Sequence, residues 1–299
     1  MNNCLVRNPH IKQDADDFLY HFGIGKSTRD FRRIFGDVKF VCCGGTPSRM
    51  EKLAKHLEKE LHDVVQLKTG VSDENHSVSP ERYSIFKVGP VLCINHGIGT
   101  ASLSVMLNET FKLLYHAGCT DVIFFRVGTS GGIDCPAGTV VVANGAMNGL
   151  LEECHVQYVL GKMIKHPAKL DKSLAEELFQ LGSTCPFPVI NAITMCCDDF
   201  YEGQGRLDGA FCEYTEEEKM AFLRKADKVG VRNIEMESTC FASFCHRANV
   251  KGGIVCVTLL DRLNGDQVTT PKAILKSWED RPIHLVTEYI KNKLKNTER

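Results

Sequence analysis

The sequence predicts an α/β fold, and three stretches carry that prediction. The first is an apolar run that starts at Val122 and ends in Gly128-Thr129-Ser130-Gly131-Gly132. A short continuous apolar segment closed by glycine is the pattern of a central strand buried on both faces. The second is residues 38–43, a strand followed by Gly44-Gly45, then by Thr46, a good N-cap, and Pro47, which suits the first helical position. The third is a strand at 83–88 turned by Pro90 into another at 91–95, with a helix beyond it carrying Leu103, Met106, Leu107, Phe111 and Leu114. Strands that alternate with helices build an α/β sheet. With no internal repeat and no linker, the 299 residues read as one domain, with about 1–17 as a loose N-terminal arm.

The remaining elements follow in order. Residues 14–35 are an apolar–polar lead-in around Phe18, Leu19, Tyr20, His21 and Phe22. Gly23-Ile24-Gly25-Lys26-Ser27-Thr28 looks like the end of a phosphate-binding P-loop, but that motif needs a glycine where Tyr20 stands, and no strand precedes it. It reads as a loop. The helix after Thr46 runs to about Leu61, residues 62–81 form a polar loop, and Arg82 leads into the next strand. His96-Gly97-Ile98-Gly99 lacks the third glycine and the ribose-binding acid of a dinucleotide fingerprint, so His96 reads as structural and a dinucleotide oxidoreductase finds no support. Beyond Gly132 come a strand at 139–143, a polar loop-rich region to about Asp171, a helix around 174–181 and a strand around 189–194. Thr215-Glu216-Glu217-Glu218 is a capping box opening a helix to about Lys228. Asn233 to Ser238 leads into an apolar helix with Phe241, Phe244 and Cys245. A strand at 253–260 ends in Asp261 and Arg262, and Trp278, Val286, Ile290 and Leu294 mark an amphipathic closing helix.

Composition excludes several classes of function. Hydrophobic residues are 43%, charged residues 24% and the net charge is -1, which favours neither nucleic acid nor an anionic membrane as partner. There is no apolar run of about twenty residues, and Asp14, Asp16 and Asp17 do not suit a signal peptide. A cytoplasmic protein is expected. Fourteen cysteines lie mostly in apolar segments, with no C-x-x-C spacing and no following pair of histidines. They read as small buried hydrophobes in a reducing compartment, with neither a disulfide framework nor a metal site.

Three clusters suggest chemistry. Arg126 lies in the central apolar run, and a guanidinium is seldom buried without a partner. At the carboxyl end of such a strand that partner is an anionic ligand or a structural carboxylate, and the stretch alone is compatible with both. Arg49 repeats the theme. It stands in the first turn of a helix after Gly44-Gly45, where backbone amides and the helix dipole attract an anion and a basic side chain is otherwise unfavourable. Together the two turns favour phosphate. In Phe200-Tyr201-Glu202-Gly203-Gln204-Gly205-Arg206, an amide and a guanidinium two residues apart suit the planar polar edge of a heterocycle, although a solvated turn would have the same composition. Glu235 and Glu237 sit close to an apolar helix and need partners; one can be structural and the other can accept from a sugar diol.

Gly44-Gly45-Thr46-Pro47-Ser48-Arg49, Arg126-Val127-Gly128-Thr129-Ser130-Gly131-Gly132 and Glu235-Met236-Glu237-Ser238 together resemble the nucleoside phosphorylase-I family, and the loop from Phe200 to Arg206 narrows the resemblance to its uridine-cleaving branch in the animal-type form. The resemblance runs from about Tyr20 to the last helix. It implies a single-domain α/β/α sandwich around a mixed central β-sheet, and reversible phosphorolysis of uridine to uracil and ribose 1-phosphate in pyrimidine salvage. By position it implies that Gly45, Arg49, Arg126 and Thr129 bind phosphate. Arg82 and His21 would reach into a neighbouring subunit's site, toward phosphate and toward the ribose. Met236 and Glu237 would hold the ribose, Gln204 and Arg206 would read uracil, and Phe200, Gly131, Leu259, Leu260 and Arg262 would complete the base site. Arg126, Gln204 and Arg206 would be catalytic. No cofactor is implied beyond inorganic phosphate as co-substrate, and a homodimer with shared sites is expected.

The chain departs from the family at two positions. Ala101 stands where the family usually has Pro, and Asp261 where its uridine-specific members commonly have Asn. Purine-cleaving members often place a general acid near Asp261, so a purine phosphorylase remains an alternative, beside a hydrolytic nucleosidase and a non-catalytic nucleoside-binding paralogue.

Overall fold

A computed structural model describes residues 5–13, 15–64 and 82–297. Residues 65–81 of the expected polar loop, and 1–4 and Asp14 of the expected arm, lie outside the described residues. The chain divides into two compact units, one formed by Met1–Arg126, Phe244–Gly252 and Thr287–Arg299, the other by Val127–Ser243 and Gly253–Val286.

In the first unit β1 (Phe18–Leu19) pairs antiparallel with β2 (Ile24–Gly25), a small ribbon where the sequence suggests a loop. Strands of two residues are too short to show any periodicity, which is why they escape a pattern reading. Helix α1 (Phe31–Phe35) is capped by Asp30, whose side chain accepts from the Arg33 amide at 3.0 Å. The wholly buried β3 (Phe40–Gly44) follows, then α2 (Pro47–Leu61), which opens at Thr46 as expected and buries Met50, Leu53, Ala54, Leu57 and Leu61. Strands β4 (Ile85–Val88) and β5 (Val91–Asn95) form a hairpin. Helix α3 (Gly99–Ala117) ends at Gly118, whose φ of 77° makes a left-handed C-cap. Strand β6 is Ile123–Gly132, and residues up to Arg126 belong to this unit. β3 lies between β5 and β6 and runs parallel to both. Aromatic contacts fill the space beside it: Phe124 is 4.8 Å from Phe111 and Phe125 is 5.5 Å from Tyr289 between ring centroids.

In the order of the chain, the later elements are β7 (Val140–Asn148), β8 (Cys154–Val159), β9 (Lys162–Pro167), α4 (Lys172–Gly182), β10 (Val189–Cys196), α5 (Glu216–Lys228), β11 (Val231–Glu235), α6 (Ser238–Ala248), β12 (Lys251–Asp261) and α7 (Lys272–Thr297). In the second unit β7 is flanked by β10, parallel, and by β12, antiparallel. β11 runs parallel to β10 and meets Gly131 and Gly132 of β6 antiparallel. Ile133, Met195, Leu223, Val231 and Ile234 make one core cluster there. The capping box at Thr215 has both of its reciprocal bonds.

Three sequence expectations need correction. Gly128–Gly132, which reads as a turn, instead continues β6, its glycines admitting the close approach of Arg262 and of the Cys135 carbonyl. The region read as loop-rich contains the β8–β9 hairpin, paired from Cys154↔Pro167 to Val159↔Lys162. Its outer half is exposed on both faces, and Leu160 at the turn is 97% exposed, so no apolar alternation marks it. β11 was not expected either. It carries the polar Asn233, which is buried because its side chain accepts from Thr194 at 2.8 Å and donates to Ser130 at 2.9 Å.

Candidate active site

Of the residues expected to bind phosphate, Gly45, Arg49 and Arg126 follow or end the paired stretch of β3 and β6 in the first unit. Arg126 is 3% exposed and lies in register opposite Cys43, so it sits at the carboxyl end of the strand pair β3 and β6. Two residues past Cys43 comes Gly45, then Thr46, whose Oγ1 accepts from the Arg49 amide at 3.3 Å and starts α2. That cap fixes half-buried Arg49 in the first helical turn, beside the amide groups that α2 leaves without helical acceptors. Glycine at 45 keeps the turn tight: a Cβ there would stand 3.3 Å from the Gly97 carbonyl oxygen and 3.8 Å from an Arg49 terminal nitrogen. The arrangement can hold an oxyanion through two guanidinium groups and a helix terminus.

His21 is oriented by a residue the sequence reading did not single out. Glu109, buried on α3, accepts from the backbone amides of His21 at 2.9 and 3.0 Å and of Phe22 at 2.9 Å, and lies 2.7 Å from His21 Nδ1. A carboxylate can only accept there, so Nδ1 carries the hydrogen and Nε2 faces away. Arg82 is exposed, and its carbonyl accepts from Asn95 at 3.0 Å.

In the second unit, Glu235 and Glu237 divide their roles. Both are buried. Glu235 accepts from the amides of Glu237 at 2.9 Å and Ser238 at 2.8 Å, so it closes the amino end of α6 and is structural. Half-buried Met236 and buried Glu237 follow the end of β11 directly. Thr129 is half-buried on β6, and Leu259 and Leu260 are half-buried at the end of β12.

The loop from Phe200 to Arg206, expected to read uracil, buries Gln204 and Arg206 and is not a solvated turn. Gln204 ends a short 3-10 helix, Glu202–Gln204, and Gly205 has φ 63°, a conformation that L side chains adopt rarely. On either side of this left-handed step Gln204 is 4% exposed and Arg206 7% exposed. Arg206 lies 4.5 Å from the centroid of half-exposed Phe200. Its Nε and one terminal nitrogen donate to Asp208 at 3.0 and 3.2 Å, and that terminal nitrogen also donates to the Asp266 carbonyl. The pairing with Arg206 holds the Asp208 carboxyl below its usual range.

Arg262 lies behind Gln204 and is fully buried. It donates to the Gln204 carbonyl at 2.9 Å and toward the Gln204 Oε1 at 3.4 Å, so the amide presents its oxygen, not its NH2 group, to Arg262. Gly131 makes room for it: a Cβ at 131 would stand 2.9 Å from Arg262 Cγ, 3.1 Å from its Cδ and 3.6 Å from Leu260 Cδ2. Burial lowers the Arg262 pKa against the opposing pull of Asp266. Asp266 and Lys219 complete this cluster, and the sequence reading missed both. Asn264-Gly265-Asp266 has the composition of a surface turn, and Lys219 sits on a helix rich in charge.

Asp261 is engaged in its own turn. Its oxygens accept from the Leu263 amide at 3.0 Å and from Asn264 Nδ2 at 3.1 Å, capping the 3-10 turn Arg262–Asn264. Among the described residues no group of three or more His, Cys, Asp or Glu is placed to hold a metal ion, and no helix is long and apolar enough to cross a membrane.

Residues 39–291 match the family model of the Phosphorylase superfamily. A uridine and thymidine phosphorylase of Caenorhabditis elegans is 51% identical over 97% of this chain and 98% of its own. Uridine phosphorylase 1 of Mus musculus is 46% identical over 98% and 94%. An inactive uridine phosphorylase B of Schistosoma mansoni is 37% identical over 96% and 95%. Among solved structures, a uridine phosphorylase from Schistosoma mansoni in complex with thymidine superposes with a TM-score of 0.90, at 38% identity, covering 96% of this chain and 98% of that one. The expected α/β class with a mixed sheet is thereby borne out.

Proposed function

We infer that this chain, which belongs to the phosphorylase superfamily, is a pentosyltransferase that catalyses the reversible phosphorolysis of uridine to uracil and ribose 1-phosphate. The observation that supports the reading is that Gln204 and Arg206, an amide and a guanidinium two residues apart, are each anchored by hydrogen bonds, Gln204 to Arg262 and Arg206 to Asp208.

The chemical task is to break a glycosidic bond whose leaving group is a poor anion. A phosphate oxygen forms a bond to the anomeric carbon while the carbon–nitrogen bond breaks, and the electron pair of that bond leaves with uracil. Arg49 and Arg126, with Gly45 and Thr129, gather and orient the phosphate dianion, which gains rate through proximity and charge-assisted hydrogen bonds. Met236 and Glu237 hold the ribose, Glu237 accepting from its hydroxyls. Gln204 and Arg206 stabilise the charge that develops on the departing base; a preorganised donor of that kind is typically worth about 3 kcal/mol. Phe200 stacks on the base, and Gly131, Leu259, Leu260 and Arg262 shape its surroundings. No covalent nucleophile and no cofactor takes part; inorganic phosphate is the co-substrate.

The working form is a cytoplasmic homodimer of single-domain chains, each lending His21 and Arg82 to its neighbour's site, within pyrimidine salvage. The Glu109 contact at His21 Nδ1, which leaves Nε2 as the ring nitrogen for a ligand, supports this assignment. The capping bonds of Asp261 favour uridine over purine nucleosides, since a carboxylate already accepting from two donors is poorly placed to protonate a purine. A nucleoside-binding protein without turnover is the second reading, favoured by the existence of an inactive relative.

Base release from uridine, thymidine and inosine, each with and without phosphate, tests the proposal. Phosphate-dependent release from uridine is expected. Release without phosphate would point to a nucleosidase, faster release from inosine to a purine phosphorylase, and uracil binding without any release to the second reading.

A further inference from the structure

Buried lysines and carboxylates that take no part in binding usually neutralise one another and nothing more. The pair Lys219 and Asp266 does more. Asp266 Oδ1 accepts from Arg262 Nε at 3.0 Å and from Lys219 Nζ at 2.9 Å. Oδ2 accepts from Lys219 at 2.9 Å and from the Leu207 amide at 2.9 Å, and the Asp266 backbone carbonyl accepts from Arg206. One residue thus reaches both base-reading side chains by separate routes: Gln204 through Arg262, and Arg206 through the neighbouring amide and its own carbonyl. Lys219 is 5% exposed and spans both carboxylate oxygens, which fixes the plane in which Asp266 meets Arg262.

The charges in this cluster do not cancel. Lys219 and Arg262 are two buried cations against the single carboxylate of Asp266, while Arg206 is matched by Asp208. A surplus positive charge behind the Gln204 amide favours a ligand edge that becomes negative.

We propose that Asp266 and Lys219 are positioning residues for the base site, a carboxylate–ammonium pair that holds Gln204 and Arg206 in the orientation that reads uracil. The role rests on the uridine phosphorolysis proposed above.

The test is a charge-balanced pair of substitutions. Asp266→Asn leaves Lys219 buried without its counter-ion, and both stability and uridine recognition should fall. Adding Lys219→Met restores the net charge of the cluster, with Arg262 as its one cation. If the pair positions the base site, the double variant regains thermal stability while its KM for uridine stays about tenfold above the parent's, as expected when a hydrogen bond to a charged group is lost. Its KM for phosphate should remain within twofold of the parent's. Recovery of the uridine KM together with stability would overturn the proposal, as would a parallel rise of both KM values. Lys219→Met alone, which leaves no unpaired cation, should raise the uridine KM with phosphate unmoved; loss of stability with no change in that KM would also overturn it. Uracil dissociation constants, measured by calorimetry on the same variants, separate the two claims. A parent protein without turnover refutes the reaction, whereas the order of uracil affinities then decides the positioning role.

Discussion

The contact between Gly131 and the Arg262 stem allows one perturbation to be worked through from the coordinates. In Gly131→Ala the new methyl would stand 2.9 Å from Arg262 Cγ and 3.1 Å from Cδ. Unstrained carbon pairs sit at about 3.5 Å, so roughly 0.6 Å of retreat is required. The stem has little freedom to give it, because its far end is tied to Asp266 at 3.0 Å and to the Gln204 carbonyl at 2.9 Å. The weakest link is the 3.4 Å contact to Gln204 Oε1, which a movement of that size breaks. Overpacking of a buried site typically costs about 1–3 kcal/mol. Freeing the amide to rotate removes one oriented bond to uracil, worth about a tenfold rise in the uridine KM. Thermal unfolding with and without uracil, together with KM values for uridine and phosphate, measures both effects. A folded variant of parental stability with an unchanged uridine KM would refute the idea that Arg262 sets the Gln204 orientation.

Three further outcomes follow from the site. Arg206→Ala should lower kcat for uridine about 100-fold, corresponding to roughly 3 kcal/mol of leaving-group stabilisation, with the fold intact by circular dichroism; parental kinetics in a folded variant would contradict the assigned role. Asp261→Asn should change stability by less than about 0.5 kcal/mol, since Asn caps as well as Asp, and leave the uridine rate unaltered; loss of an inosine activity present in the parent would instead identify Asp261 as a general acid. Acid titration should expose Asp266. Burial works to raise its carboxyl, but the Leu207 amide, Lys219 and Arg262 outweigh it and hold the pKa below the ordinary 3.8. Its contribution to stability is therefore complete above the unfolded-state value and is lost as pH falls through the folded one. Asp266→Asn should flatten the stability profile below about pH 4, and an identical profile in the variant would show that another group governs it.

What could be read from the sequence divides along physical lines. Elements whose signals are local were legible: Thr46-Pro47 opened α2, and the capping box at Thr215 opened α5, because a cap is written within four residues. The Gly-Gly turn before α2 was legible for the same reason, since glycine, hydroxyl and arginine stand together in the chain, whereas Gly128–Gly132 reads as a turn and is strand. The β8–β9 hairpin was not, because strands exposed on both faces lose their alternation. β11 was hidden by Asn233, a polar residue made tolerable only by partners from two other strands. Asp266, Lys219 and Glu109 were missed because their meaning lies in residues 47 to 88 positions away, and no local pattern distinguishes a buried charge from a solvated one.

The cysteines give the molecule a built-in clock. Of those among the described residues, only Cys212 is exposed and only Cys185 is partly so; the rest are sealed. Burial pushes the Cys119 thiol up to about 11 and the Cys197 thiol up to about 12. A hydrogen bond with Cys93, followed by burial, takes Cys42 well above its ordinary value. Reagents that attack the thiolate find almost none of it in these positions at neutral pH. Cys212 is therefore the most open to labelling, and label at Cys42 or Cys93, located by peptide mapping, records how often β3 and β5 part.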